Sequence, residues 1–296
     1  MKIVGILGGL GNQLFQYAFS RELARRSGER VLVDTSGFER YGLHNGFELE
    51  RLFGLVLERA DPGDVRRLST ASSSLLNRLR RRLAPKRSNY IDRNFSFHDD
   101  VFSLDGDIYY EGFWQSERYF EGVARELRAE LTFPRLSSRN IQFIAGLPRP
   151  ACSVHVRRGD YLEPQNRHLN VCGPGYYERA IGAIAQGRGV ASFVVFSDDV
   201  EWCERELAFG DAEVAFVDWN RGRESWQDMA MMAACDHHII ANSSFSWWGA
   251  WLGEGGSGDR EVIAPSVWAR VGAGRSPPGY RFEYADTVPE RWTRME

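Results

Sequence analysis

Short apolar runs alternate with helically spaced apolar positions along most of the chain. Ile3 to Leu7 is an apolar run of strand length, followed by the glycine turn Gly8-Gly-Leu-Gly11. From Asn12 to Ser27, Leu14, Phe15, Ala18, Phe19 and Leu23 recur on one helix face, and Gly28 ends the pattern. Arg30 to Val33, closed by Asp34, reads as a second strand and completes a βαβ opening. Ile108 to Tyr110 predicts a further strand, and Ser116 to Leu131 a helix with Phe120, Val123, Leu127 and Leu131 inward. Prolines at 134, 148 and 150 mark residues 132–150 as an interdomain linker. Beyond it, strands are expected at Cys152–Val156, Phe193–Phe196, Val214–Phe216, His238–Ala241 and Val262–Ala264. Helices are expected at Gly175–Gln186, Val200–Phe209, Ser225–Ala234 and Ser246–Leu252. This alternation implies an α/β fold of two parallel-sheet domains, residues 1–140 and 150–296.

With 43% hydrophobic and 26% charged residues over 296 positions, the composition is that of a globular protein. A formal net charge of -3 supplies no global field for nucleic acid. No apolar run approaches the ~18 residues of a spanning helix, and the N-terminal run is too short for a signal peptide, so a cytoplasmic protein is expected. Cys152, Cys172, Cys203 and Cys235 lack CxxC spacing, so neither a disulfide framework nor a zinc site is expected. His237 and His238 are neighbours on a strand and point to opposite faces, which argues against a metal pair. One basic segment, Leu75 to Arg87, places Leu75, Leu76, Leu79 and Leu83 on one helix face among arginines. Packing through those leucines is the favoured reading, with peripheral contact at an anionic inner-membrane face as the alternative.

The chemistry concentrates where apolar strands stop. Ser153-Val-His-Val-Arg-Arg-Gly-Asp-Tyr161 ends a strand in two guanidiniums, a glycine, a carboxylate and a phenol. Ligands bind at the carboxyl edge of open α/β sheets, and paired guanidinium forks suit a diphosphate; pairing with nearby acids is the bland alternative. A second strand ends at Ala241, and Asn242, Ser243, Ser244 and Ser246 follow at a helix start. Orphan amides and the helix dipole make such a start an anion site, and four small polar residues exceed what capping requires. Phe196-Ser-Asp-Asp199 also ends a strand in acids. These could hold a divalent ion but fit a helix N-terminus better. Gly9-x-Gly11 after the first strand, with Asp34 closing the second, partly matches a dinucleotide fingerprint, but Leu14 stands where its third glycine belongs. Asn12 is suited to N-capping or to binding a hydroxyl or phosphate oxygen.

Four blocks together resemble the α-1,2-fucosyltransferases of glycosyltransferase family 11. They are Gly8-Gly-Leu-Gly-Asn-Gln-Leu-Phe-Gln-Tyr-Ala18, His155-Val-Arg-Arg-Gly-Asp-Tyr161, Phe196-Ser-Asp-Asp199, and Asp228 through Asn242-Ser-Ser-Phe-Ser-Trp-Trp-Gly-Ala250. The resemblance spans residues 5–250, and its His-x-Arg-Arg-x-Asp core is shared with α-1,6- and protein O-fucosyltransferases. It implies two Rossmann-like domains facing across a cleft (GT-B-like), with GDP-β-L-fucose in the C-terminal domain and the acceptor sugar on the N-terminal side. It places Arg157 on the β-phosphate, with Asp160 orienting Arg157 or Arg158, and His155 and Asp228 near guanine and ribose. Asn242, Ser243, Ser244 and Phe245 would line the diphosphate and base, and Gly11 and Asn12 the sugar end. The implied reaction is inverting transfer of fucose to O2 of a terminal galactose, on an oligosaccharide or a lipid-linked surface glycan. No cofactor or metal is implied, because Arg157 and the helix start would neutralise the departing diphosphate.

Other readings remain at this point. A transferase of another fucosyl linkage, or one using another sugar donor such as GDP-mannose, would share these motifs. A nicotinamide oxidoreductase would use Gly9, Gly11 and Asp34. A glycan-binding module would expose Trp247, Trp248 and Trp251.

Overall fold

The computed structural model describes residues 1–40, 42, 44–70, 86–92, 95–255, 259–270 and 284–296. The contacts divide the chain into two compact units: Met1–Thr132 with Ser276–Thr287, and Phe133–Arg275 with Val288–Glu296. Both are built on parallel sheets, as the alternation implies. Residues 75–85 of the basic segment lie outside the described residues.

The first unit runs β1 (Lys2–Gly5), α1 (Leu10–Ser27), β2 (Val31–Asp34), α2 (Leu49–Phe53), α3 (Pro62–Leu68), β3 (Asn89–Ile91), β4 (Ile108–Glu111) and α4 (Ala124–Glu130). Its strands lie in the order β2-β1-β4-β3, all parallel. Helix α1 buries Leu14, Phe15, Ala18, Phe19 and Leu23 as its period dictates. It stops at Gly28, whose φ of 65° suits glycine and whose amide reaches the Ala24 carbonyl. The helix expected over 116–131 is instead two 3₁₀ turns, Glu117–Tyr119 and Glu121–Val123, leading into α4. The breaks fall at Phe120 (φ −146°, ψ 17°) and Val123 (φ −119°, ψ 13°), with Gly122, a residue of low helix propensity, between them. Phe120, Val123, Leu127 and Leu131 are buried all the same.

The second unit contains α5 (Ser138–Gly146), β5 (Ala151–Val156), α6 (Pro174–Arg188), β6 (Ser192–Ser197), α7 (Val200–Glu206), β7 (Glu213–Val217), α8 (Trp226–Ala233), β8 (His237–Ile239), α9 (Ser244–Gly253), β9 (Val262–Pro265) and β10 (Thr293–Met295). Helix α5 corrects the linker reading: Ser137 caps it, and Phe143 and Ile144 pack under the sheet beside Met231 and Met232. The strand order β10-β9-β8-β5-β6-β7 is parallel throughout. Strand β5 is buried along its whole length, as expected of a strand covered on both faces. On one face Phe193 and Val195 meet Tyr177, Ile181 and Trp202; on the other Val194 and Phe196 meet the methionines of α8.

The order also locates a ligand site. From β5 the chain builds outward through β6 and β7, then returns to lay β8 on the other side of β5. That reversal between β5 and β8 is a topological switch point, and the crevice outside the carboxyl ends of these strands is where such sheets bind ligands.

Candidate active site

The residues leaving β5 and β8 are those singled out by chemistry. Strands β5 and β6 pair in register, Val156 opposite Ser197, so Arg157 and Asp198 leave the sheet side by side. Asp198 and Asp160 grip the Arg157 guanidinium through its two terminal nitrogens, at 3.0 and 2.7 Å. Arg158 bonds Asp199 at 3.0 Å and lies 4.1 Å over the Trp202 ring, while its amide donates to Asp198 at 2.9 Å. Asp199 also caps α7 through the Trp202 amide at 3.1 Å. The acids therefore serve the helix terminus, as the sequence suggests, and also pair with the arginines, the bland alternative the sequence offers.

Gly159 makes the clamp possible: a β-carbon there would lie 2.8 Å from a carboxylate oxygen of Asp198. Gly159→Ala is accordingly expected to push Asp198 off Arg157 and lower turnover about tenfold or more, since small misplacements near a reacting centre are costly. Steady-state kinetics would check this, and unchanged turnover would show that the clamp does not position Arg157.

The two guanidiniums face three carboxylates, so arginine charge alone does not make the anion site. The start of α9 adds to it. Ser243 Oγ caps the Phe245 amide at 3.3 Å, which engages one of the four orphan amides of a helix start and leaves others for an anion. The same corner is pinned by Tyr161, whose hydroxyl donates to the Asn242 carbonyl at 3.0 Å. The Asn242 side-chain amide bridges two carbonyls, Leu169 and Trp268, at 2.8 Å each. It thus holds the loops around the helix start.

His155 lies in β5 with its ring centre 5.9 Å from that of Phe245. Its Nδ1 is buried and has no protein partner, so it is open to a hydrogen bond from outside the protein. Burial, then the Arg157 charge, push its pKa down to about 4. It is neutral near pH 7 and a weak base there. Asp228, in the first turn of α8, is pushed up to about 7 by burial, against a 2.7 Å hydrogen bond from Asn220. Behind it, Asn140 donates to both Asn220 (2.9 Å) and Gln227 (2.8 Å), and Trp219 donates to Asn140 at 2.7 Å. This amide chain was hidden because Asn140 sits in the segment read as linker.

Gly11 and Asn12 belong to the first unit, at the carboxyl end of β1. The cap of α1 is Gly9, not Asn12; Asn12 lies within the first turn and accepts from Gln115 at 2.9 Å. Gly11 is buried in that same turn. Asp34, the ribose-binding acid of the oxidoreductase reading, is held by the Tyr109 hydroxyl and the Ser36 amide, both at 2.9 Å. Trp247, Trp248 and Trp251 are fully buried, which removes the lectin reading. All four cysteines are free and buried.

A model of the family described as "Glycosyl transferase family 11" matches residues 89–268. The chain belongs to this family. An Escherichia coli alpha-1,2-colitosyltransferase is 32% identical, over 99% of this chain and 98% of its own. Galactoside alpha-(1,2)-fucosyltransferase 1 of Plecturocebus brunneus is 26% identical over 84% of this chain, which spans 64% of that protein's length. Among solved structures, NodZ alpha-1,6-fucosyltransferase soaked with GDP-fucose aligns over 85% of this chain and 92% of its own, at 16% identity and a TM-score of 0.48. The family-11 chain is thus a glycosyltransferase, and the switch-point cluster is its candidate centre. No helix among the described residues is long and apolar enough to cross a membrane.

Proposed function

We propose that the protein transfers L-fucose from GDP-β-L-fucose to O2 of a terminal galactose, with inversion at the anomeric carbon. The observation that carries this reading is the clamped Arg157 beside the start of α9. Transfer leaves negative charge on the departing diphosphate, and fixed donors aimed at developing charge lower the barrier most. In this reading the second unit holds the donor: Arg157 meets the β-phosphate, the α9 amides share the charge, and His155 and Asp228 flank the nucleoside. Arg157 is held by carboxylates on both sides, so it is oriented before the donor arrives. In this reading the α9 amides supply what the acid-paired arginines do not, and the reaction takes no divalent ion. The first unit would hold the acceptor.

A second donor follows from the colitosyltransferase at 32% identity. Colitose is fucose without its 3-hydroxyl, so the two donors differ by one hydrogen-bonding group. A site that bonds that hydroxyl would favour fucose by a large factor, whereas an apolar pocket would separate the two weakly.

The test is GDP release from GDP-fucose with lactose or N-acetyllactosamine, with EDTA present. Acceptor-dependent release unaffected by EDTA is expected, with an α-1,2 linkage by NMR. Loss of activity on chelation, restored by manganese or magnesium, would bring Asp198 and Asp199 to a metal. Release with the colitosyl donor and not with GDP-fucose would replace the donor and keep the family chemistry.

A further inference from the structure

The carboxyl edge of the first unit's sheet carries, close to Asn12 of the first family block, exposed apolar side chains to which the resemblance assigns no role. Two loops leave that edge, after β1 and after β4, and each presents one exposed apolar side chain: Leu7 and Phe113, both 39% exposed. A single buried amide ties the loops together. Gln16 accepts from the Leu7 amide at 2.9 Å and donates to the Gly112 carbonyl at 3.0 Å.

The loop after β4 is held in a strained shape. Trp114 has φ of 54°, a left-handed conformation that bulky residues avoid, yet it is fully buried and stacked on Phe19 at 4.0 Å. Gly112 can only be glycine, because a β-carbon would lie 2.6 Å from Asp92. On either side of buried Trp114 stand exposed Phe113 and half-buried Gln115. Phe113 stands half in solvent, backed by Phe95 with centroids 5.6 Å apart and planes 16° apart. Gln115 reaches Asn12 with its Nε2, donating to Oδ1 at 2.9 Å. This pairing leaves Asn12 Nδ2 as a donor and Gln115 Oε1 as an acceptor, on two half-buried side chains.

We infer that Phe113, Gln115 and Asn12 form the subsite for the acceptor sugar, a terminal hexopyranose of the galactose type. The ring would cover the apolar C–H face of the sugar, and the donor–acceptor pair would bond two neighbouring hydroxyls. Small-molecule sites combine aromatic side chains with a few placed polar groups, and backbone strain persists where function requires it. The inference rests on the galactoside reading above, and it adds the residues that select the acceptor.

The test is saturation-transfer NMR of the full chain with methyl β-galactoside, together with acceptor kinetics on lactose. The wild type is expected to bind the galactoside. Phe113→Ala and Gln115→Ala should each raise the lactose KM at least tenfold and abolish the transfer signal. Phe113→Tyr should restore both, and GDP-fucose affinity should stay within twofold in the two Phe113 variants. Phe113 is exposed, so its replacement does not open the core. Lactose KM and galactoside binding unchanged in both alanine variants would overturn the subsite. Absence of galactoside binding to the wild type would overturn it as well. Failure of the donor assignment alone would appear as galactoside binding lost in the variants of a protein that does not use GDP-fucose.

Discussion

Replacing Arg157 with alanine is expected to lower the turnover of sugar transfer by about 10²- to 10³-fold, the usual cost of removing one preorganised donor from a site of developing charge. The loss should fall on kcat more than on the donor's KM, because charge on the diphosphate grows as the sugar departs. The fold should survive: Arg157, Asp160 and Asp198 are 31, 43 and 27% exposed, so the released carboxylates are solvated rather than stranded in the core. Arg157→Lys should recover little. An ammonium is a point charge on a flexible stem and cannot hold Asp160 and Asp198 through a planar fork while facing a phosphate. Near-normal turnover in the alanine variant, with a cooperative melt, would remove Arg157 from the chemistry.

The same arginine marks how far the sequence could be read. Its strand was legible because Ala151 to Val156 is apolar throughout and then stops in charge. Its partner Asp198 was not, because the pairing is lateral. It depends on β5 and β6 lying side by side in register, Val156 against Ser197, and no local pattern states which strands are neighbours. Once two strands of similar length are placed in parallel, residues at matching ends fall together, and that signal could have found the clamp. Asn140 was missed for a different reason. The prolines at 134, 148 and 150 suggested a linker, yet they flank a helix, Ser138–Gly146, with an apolar face of its own. The edge strands Asn89–Ile91 and Thr293–Met295 are three residues each, too short for a period to show. The first-unit subsite was illegible because nothing in the sequence marks the backbone of Trp114. Its left-handed backbone, between Phe113 and Gln115, is a property of the packed loop alone.

Asp228 is expected to couple stability and donor binding to pH in opposite directions. Burial raises its carboxyl to about 7, whereas in the unfolded chain an aspartate titrates near ~3.9. The folded protein therefore binds the proton more tightly across that interval. Stability is greatest below the unfolded value, falls as pH rises, and has lost this contribution once pH passes about 7. Asp228→Asn, neutral at every pH, is expected to melt higher than the wild type at about pH 8 and to show little difference at about pH 4. Donor binding should respond the other way. If the ionised carboxylate accepts hydrogens from the nucleoside, wild-type affinity for GDP-fucose falls as pH drops below about 7, close to tenfold per unit. The asparagine variant should bind about ten- to a hundredfold more weakly at neutral pH, with a mismatched donor where an acceptor is required, and show no such slope. Calorimetric titration and thermal melts over the same pH range read both effects. A variant that gains stability at high pH while binding GDP-fucose as the wild type does would make Asp228 a buried acid of the helix start with no part in donor recognition. One that gains stability and loses both affinity and slope would explain why this costly carboxylate is kept beside a chain of amides that holds it in place.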